Sequence, residues 1–133
     1  MPRVRPTCLA LLLCKAVSRD ASGNASLSGV FQDVAVERFP ATWGPFSVWL
    51  QVTNGHGTLS MRLRLEHVPS DRIEAELVAE APFSLRFDDP RQVLEYATRW
   101  DRMRLDHEGD YRMTLLAGGT AIMHRYLVAT RRP

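Results

Sequence analysis

The chain has 133 residues, enough for one ordinary domain and too few for two. At 45% apolar and 24% charged residues it is neither a disordered tail nor a membrane bundle. Seventeen basic side chains against fifteen acidic ones give a net charge of +2, which argues against a dedicated nucleic-acid binder. Neither nucleic acid nor membrane is an expected partner. Sixteen of the seventeen basic residues are arginine, with Lys15 the only lysine, and their spread along the whole chain reads as coding bias.

From the amino end, residues 1–17 imitate a signal peptide: Arg3 and Arg5 precede an apolar run from Cys8 to Cys14. The run is short for such a segment, no clean small-x-small site follows it, and it is far below the roughly 18 apolar residues of a spanning helix. A buried first strand is the reading preferred here, with export as its alternative. Cys8 and Cys14 stand six apart, so a straight strand would set them on one face roughly 20 Å from each other. A disulfide needs Cα atoms within about 7 Å, so free thiols in a reducing, cytoplasmic compartment are expected.

Alternation with period two dominates the rest, the mark of antiparallel sheets with one buried face. Segments 7–17 and 25–37 read as strands around the turn-like Ser18–Asn24, and Gly29 marks a bulge or close backbone approach. Phe46, Val48, Leu50 and Val52 form one inward row, Leu59, Met61, Leu63 and Leu65 a second, and Ile73, Ala75, Leu77 and Ala79 a third. Turn-formers separate them at Asn54–Gly57 and Val68–Asp71. Phe83, Leu85 and Phe87 alternate before Asp88-Asp89-Pro90. Residues 91–101 read as a strand, with a short helix near 91–100 as the alternative. Tyr111–Leu116 and Thr120–Thr130 form a hairpin around Gly118-Gly119, a pair suited to a primed turn. The expectation is a single all-β domain over 1–133, ordered from about 7 to 130: an antiparallel β-sandwich of seven to nine strands.

The chemistry-bearing residues are sparse in pattern. His56, His67, His107 and His124 show no ligand spacing. The simplest hairpin register puts His124 opposite Met113, on one face with Ile122, Tyr126 and Val128, as a buried structural histidine. Asp106-x-Glu108-x-Asp110 resembles a calcium loop in spacing yet lacks its remaining ligands, and turn chemistry accounts for it. No nucleophile elbow, Walker loop or dinucleotide fingerprint occurs. The reading is therefore no catalytic residue, no metal and no cofactor. Arg62 and Arg64 share one wet face, and the same hairpin register sets Arg112 opposite Arg125. Like charges so opposed invite a carboxylate from Glu74 or Glu76, an anion or a partner. Trp43 in the loop 39–45 is suited to plug the end of the sandwich or to anchor a partner. Alternation turns Trp49 outward, away from Phe46, Val48 and Leu50, as a candidate interface residue.

The pattern Leu27-x-Gly29-Val30-Phe31-x-x-Val34 followed by Phe39-Pro40 resembles the opening of an uncharacterised bacterial family of short domains of unknown function. Leu9–Cys14 matches its apolar first strand, and Gly109-Asp110-Tyr111 with the hairpin through Thr130 matches its ending; residues 83–104 depart from it. The resemblance implies an immunoglobulin-like β-sandwich and brings no catalytic motif. Tyr111, two residues beyond Gly109, also has the placement of a tyrosine corner, whose hydroxyl bonds back to upstream backbone. The functional expectation is a non-enzymatic module in a bacterial cytoplasm that binds a protein partner or a second copy of itself. Its alternatives are a small anionic-ligand domain built on Arg62, Arg64, Arg112 and Arg125, and, further off, a hydrolase.

Overall fold

The structure, a computed structural model, describes residues 5–70 and 74–133. Arg3 of the leader-like segment, Asp71 of the second turn, and Ile73 of the third apolar row lie outside the described residues.

The described chain is all-β. In order, the strands are β1 (Thr7–Cys14), β2 (Ala16–Arg19), β3 (Ala25–Ser28), β4 (Asp33–Val36), β5 (Ala41–Trp43), β6 (Phe46–Thr53), β7 (Gly57–Val68), β8 (Glu76–Phe87), β9 (Val93–Trp100), β10 (Met103–Leu105), β11 (Gly109–Ala117) and β12 (Thr120–Arg131). These twelve replace the expected seven to nine. Segment 7–17 breaks at Lys15 and segment 25–37 at Gly29, each giving two strands. Short β5 forms within the expected loop 39–45 and pairs with β10. The segments around Leu77 and Phe83 fuse into one strand, β8.

Residues 91–101 carry a strand and no helix. Each residue from Val93 to Trp100 pairs antiparallel with β6, and Leu94, Tyr96 and Trp100 pack against the core. That period-two burial decides between the two readings.

Two larger sheets share one apolar core. The first has the order β1-β6-β9 and the second β4-β12-β11-β7-β8, while β2-β3 and β5-β10 are two-stranded ribbons. All pairings are antiparallel except β4 with β12. Leu11, Phe46, Val48 and Leu50 from the first sheet meet Met61, Leu63, Leu65, Tyr111, Met113 and Leu115 from the second. Burying each such side chain stabilises the fold by roughly 1.5–3 kcal/mol. On one side Phe83 of β8 stacks on Tyr96 of β9 with ring centroids 3.9 Å apart. On the other, Arg125 Nε donates to Leu11 O at 2.9 Å and Phe31 N to Leu13 O at 3.0 Å, joining β12 and the β3–β4 connection to β1.

Three β-bulges alter the faces that strict alternation assigns, because one extra residue inverts parity from there on. Leu9 is the extra residue of β1, so Cys8 faces the core opposite Val52 while Cys14 faces outward opposite Ser47. The two thiols are free and buried, as expected, and lie on opposite faces instead of the same one. Val78 is the extra residue of β8, and Leu77, expected inside, is 58% exposed. Ile122 is the extra residue of β12, so Met113 pairs with Arg125, Thr114 with His124 and Arg112 with Tyr126. His124 is consequently exposed rather than buried, and Arg112 does not oppose Arg125.

The turns follow the sequence closely. Gly118 and Gly119 both have positive φ, as a primed hairpin turn requires. Gly55 is needed for space: a Cβ there would stand 2.3 Å from the Phe87 ring.

Candidate functional site

The outer face of the five-stranded sheet collects three of the six expected site residues. Cross-strand register sets Glu80, Arg64, Thr114 and His124 in one row across β8, β7, β11 and β12. The row below it holds Glu66, Arg112 and Tyr126, and the row above holds Pro82, Arg62 and Leu116. Arg62, Arg64 and Arg112 therefore share one face of one sheet. Arg125 is turned to the opposite face by the Ile122 bulge, where its guanidinium bonds the Leu11 carbonyl.

The carboxylates on this face are not the expected Glu74 and Glu76. Arg62 Nη1 and Arg64 Nε reach the same Glu80 Oε2, at 3.5 and 3.3 Å, and Arg112 Nη2 reaches Glu66 Oε1 at 3.3 Å. Arg62 and Arg64 thus share one carboxylate and Arg112 has another, with exposed Asp110 two residues away along β11 on the same face. Such part-exposed pairs contribute roughly 0–1 kcal/mol each, so a partner's carboxylate can replace them at little cost. Thr114 and Leu116 point outward but are only 7% and 6% exposed, consistent with long arginine stems lying across them. Tyr126 stands 51% exposed beside Arg112, with the His124 ring edge-on at 5.4 Å.

The tryptophans divide. Trp43 packs edge-to-face on Phe31 at 4.7 Å and lies 5.8 Å from Phe46, which in turn meets Trp100 at 5.6 Å. That cluster is the plug of the two roles open to it. Trp49 lies on the outer face of the three-stranded sheet between Leu12 and Ala97, half-buried, its Nε1 shielded and without a hydrogen-bond partner. The β2–β3 ribbon reaches this face through the Arg19–Glu95 ion pair.

A second group was missed in the sequence. His67 is buried, its ring 5.2 Å from His107 and 4.9 Å from Tyr111. Its Nδ1 lies 3.9 Å from Glu76 Oε2 and has no hydrogen bond. His67, His107 and Glu76 line a cleft of about 490 Å³ together with Ser70, Glu108 and Asp110. The signal was present: His67 continues the inward row Met61, Leu63, Leu65. Asp106 pairs with Arg104 at 2.6 Å and Glu108 accepts the Arg131 N–H at 3.0 Å, so two acids of the calcium-like spacing are already engaged. Among the described residues no three His, Cys, Asp or Glu side chains converge to hold a metal ion.

Tyr111 Oη donates to His107 O at 2.7 Å and accepts from His107 N at 3.2 Å, the bond back to upstream backbone that its placement predicts. Burial pushes this hydroxyl above its usual range, and likewise the Cys8 and Cys14 thiols. Buried, protonated thiols are poor nucleophiles.

A family described as of unknown function, DUF6941, matches residues 9–129. The chain belongs to this family. The match to DUF6941 spans both large sheets, from β1 into β12. No curated protein matches the chain. Two crystal structures of a β-glucosidase from Listeria innocua, one in complex with isofagomine, superpose with a TM-score of 0.47 at 8% identity. Each alignment covers 91% of the DUF6941 chain but only 16% of the enzyme, a likeness too weak to carry a functional inference.

Proposed function

We propose that the chain is an immunoglobulin-like β-sandwich acting as a non-enzymatic protein-interaction module in a bacterial cytoplasm, with the outer face of its five-stranded sheet as the binding face for an acidic protein surface. The observation that carries this is the convergence of Arg62, Arg64 and Arg112 with exposed Tyr126 on one sheet face, where Arg62 and Arg64 share a single carboxylate. Arginine and tyrosine are the residue types that dominate binding energy at interfaces.

The strand order supports the immunoglobulin-like part. The connections β6 to β7 and β8 to β9 both pass between the two large sheets, as connections in immunoglobulin-like sandwiches do, and Tyr111 bonds back to the His107 backbone as a tyrosine corner would. The cytoplasmic part is supported by two buried free thiols on opposite faces.

Quantitative capture from the native host tests the reading, with the wild-type chain compared against Arg64→Ala/Arg112→Ala. A specific partner should bind the double variant about tenfold to a hundredfold more weakly, a loss of roughly 1.4–2.8 kcal/mol, and wild-type binding should fall with salt. Equal capture by both chains, or a partner whose binding ignores salt, contradicts it. Light scattering of the pure protein separates self-association from binding to another protein.

A further inference from the structure

A second charged surface lies on the other sheet, away from the arginine face. Between the β2 strand and the outer face of β6 and β9 is an open cleft of about 660 Å³, within the size range of small-molecule sites. Its charged lining residues are Lys15, Arg19 and Arg99, with Ser47 and the apolar Val17 and Pro45; among the described residues no carboxylate lines it.

Each cation comes from a different part of the fold. Lys15 sits at the break between β1 and β2, where its N–H donates to Ser28 O at 3.0 Å and to Gly29 O at 3.1 Å. Gly29 has φ +67°, and a Cβ there would stand 2.9 Å from Lys15 Cγ and Cδ. The missing side chain thus makes room for the lysine stem, and the β3 end fixes where the stem starts. Arg99 is the cross-strand partner of Ser47, which is only 8% exposed although it faces outward. Arg19, from β2, pairs with Glu95.

The charges are unevenly spent. Arg99 has only Asp101, 4.0 Å away, with both side chains largely exposed, and Lys15 makes no ion pair among the described residues. Two cations beside a buried serine, with no acid in the lining, form a complement to a small polyanion. A lysine ammonium is a compact point charge suited to phosphate, and an arginine fork binds phosphate oxygens two at a time. In a chain whose other sixteen basic residues are arginine, the lone lysine lies in this cleft.

We propose that this cleft binds a phosphate group, carried by a small phosphorylated molecule, between Lys15 and Arg99, with Ser47 beneath it and Arg19 at its edge. The cleft is far larger than one phosphate, so the organic part of the ligand rests against Val17 and Pro45. The site is separate from the arginine face of the other sheet.

Isothermal titration of the full chain at low salt with AMP, ATP, inorganic phosphate and citrate tests the proposal. The variants are Lys15→Met, which keeps the stem on Gly29 and removes the charge, Arg99→Ala, and Arg64→Ala on the opposite sheet as control. AMP or ATP should bind the wild type and Arg64→Ala alike, and each cleft variant at least about tenfold more weakly. Phosphate binding as tightly as AMP, with the same losses, assigns the site to free phosphate and upholds the anion chemistry. No binding of any phosphate at millimolar concentration, equal binding by Lys15→Met, or binding of citrate alone overturns it. Loss in Arg64→Ala but not in Lys15→Met would move the site to the arginine face and equally overturn it.

Discussion

Tyr111 holds the turn before β11 by two bonds to the backbone of one residue, His107, while its ring fills the core at 1% exposure. Tyr111→Phe keeps the ring and removes both part-buried bonds to the His107 carbonyl and N–H. It should lower the unfolding free energy by about 1–3 kcal/mol in urea titrations; an unchanged midpoint would remove the hydroxyl from the account. The same hydroxyl and the Cys8 and Cys14 thiols bind their protons more tightly folded than unfolded, because burial disfavours their charged forms. Their contribution is therefore fully present below the ordinary thiol and phenol values of 9.0 and 10.0 and is lost as pH rises past them. Urea midpoints should hold between pH 7 and about 8.5 and fall steadily above pH 9, with Tyr111→Phe losing part of the fall above pH 10. A midpoint that rises through this window contradicts those environments.

At the scale of strands, legibility depended on parity. The rows Phe46–Val52 and Met61–Leu65 could be read because no bulge interrupts either run, so every second residue keeps its face. Leu9, Val78 and Ile122 could not be read as extra residues, since a bulge is set by the partner strand and leaves no local composition mark. Each error of facing traces to one of them: Cys14 outward, Leu77 exposed, and Arg125 removed from Arg112. That displacement turned Arg125 into a clasp. Arg125→Ala frees the Leu11 carbonyl at the seam between the sheets and should cost about 1–2 kcal/mol by urea unfolding, against roughly 0–1 kcal/mol for exposed Arg62→Ala. Equal small effects would deny the clasp. The Gly55 turn was legible as a turn but not as a close approach, because Phe87 is 32 positions away. Gly55→Ala forces the buried Phe87 ring to move and should destabilise by about 1–3 kcal/mol; a neutral substitution would show that the ring yields freely.

Over the whole molecule, the two large sheets shield one core and present different outer faces. The five-stranded sheet carries arginines and Tyr126, while the three-stranded sheet carries Trp49 and is partly overlaid by the β2–β3 ribbon. The sequence contained the outward arginines of β7 and β11 as wet positions, but not their convergence, which needs the order β12-β11-β7-β8. It also contained His67 as the next inward position of β7, though not its neighbours His107 and Glu76, which other strands and loops supply. The central claim is that the arginine-bearing face is where a partner docks. Site-specific photo-crosslinking in the native host tests it most directly, with a benzophenone amino acid replacing His124 on that face or Val93 on the edge of the other sheet. The account predicts a discrete covalent adduct from position 124, abolished by Arg64→Ala/Arg112→Ala, and none from position 93. An adduct from position 93 alone, or one from position 124 that persists in the double variant, would contradict it.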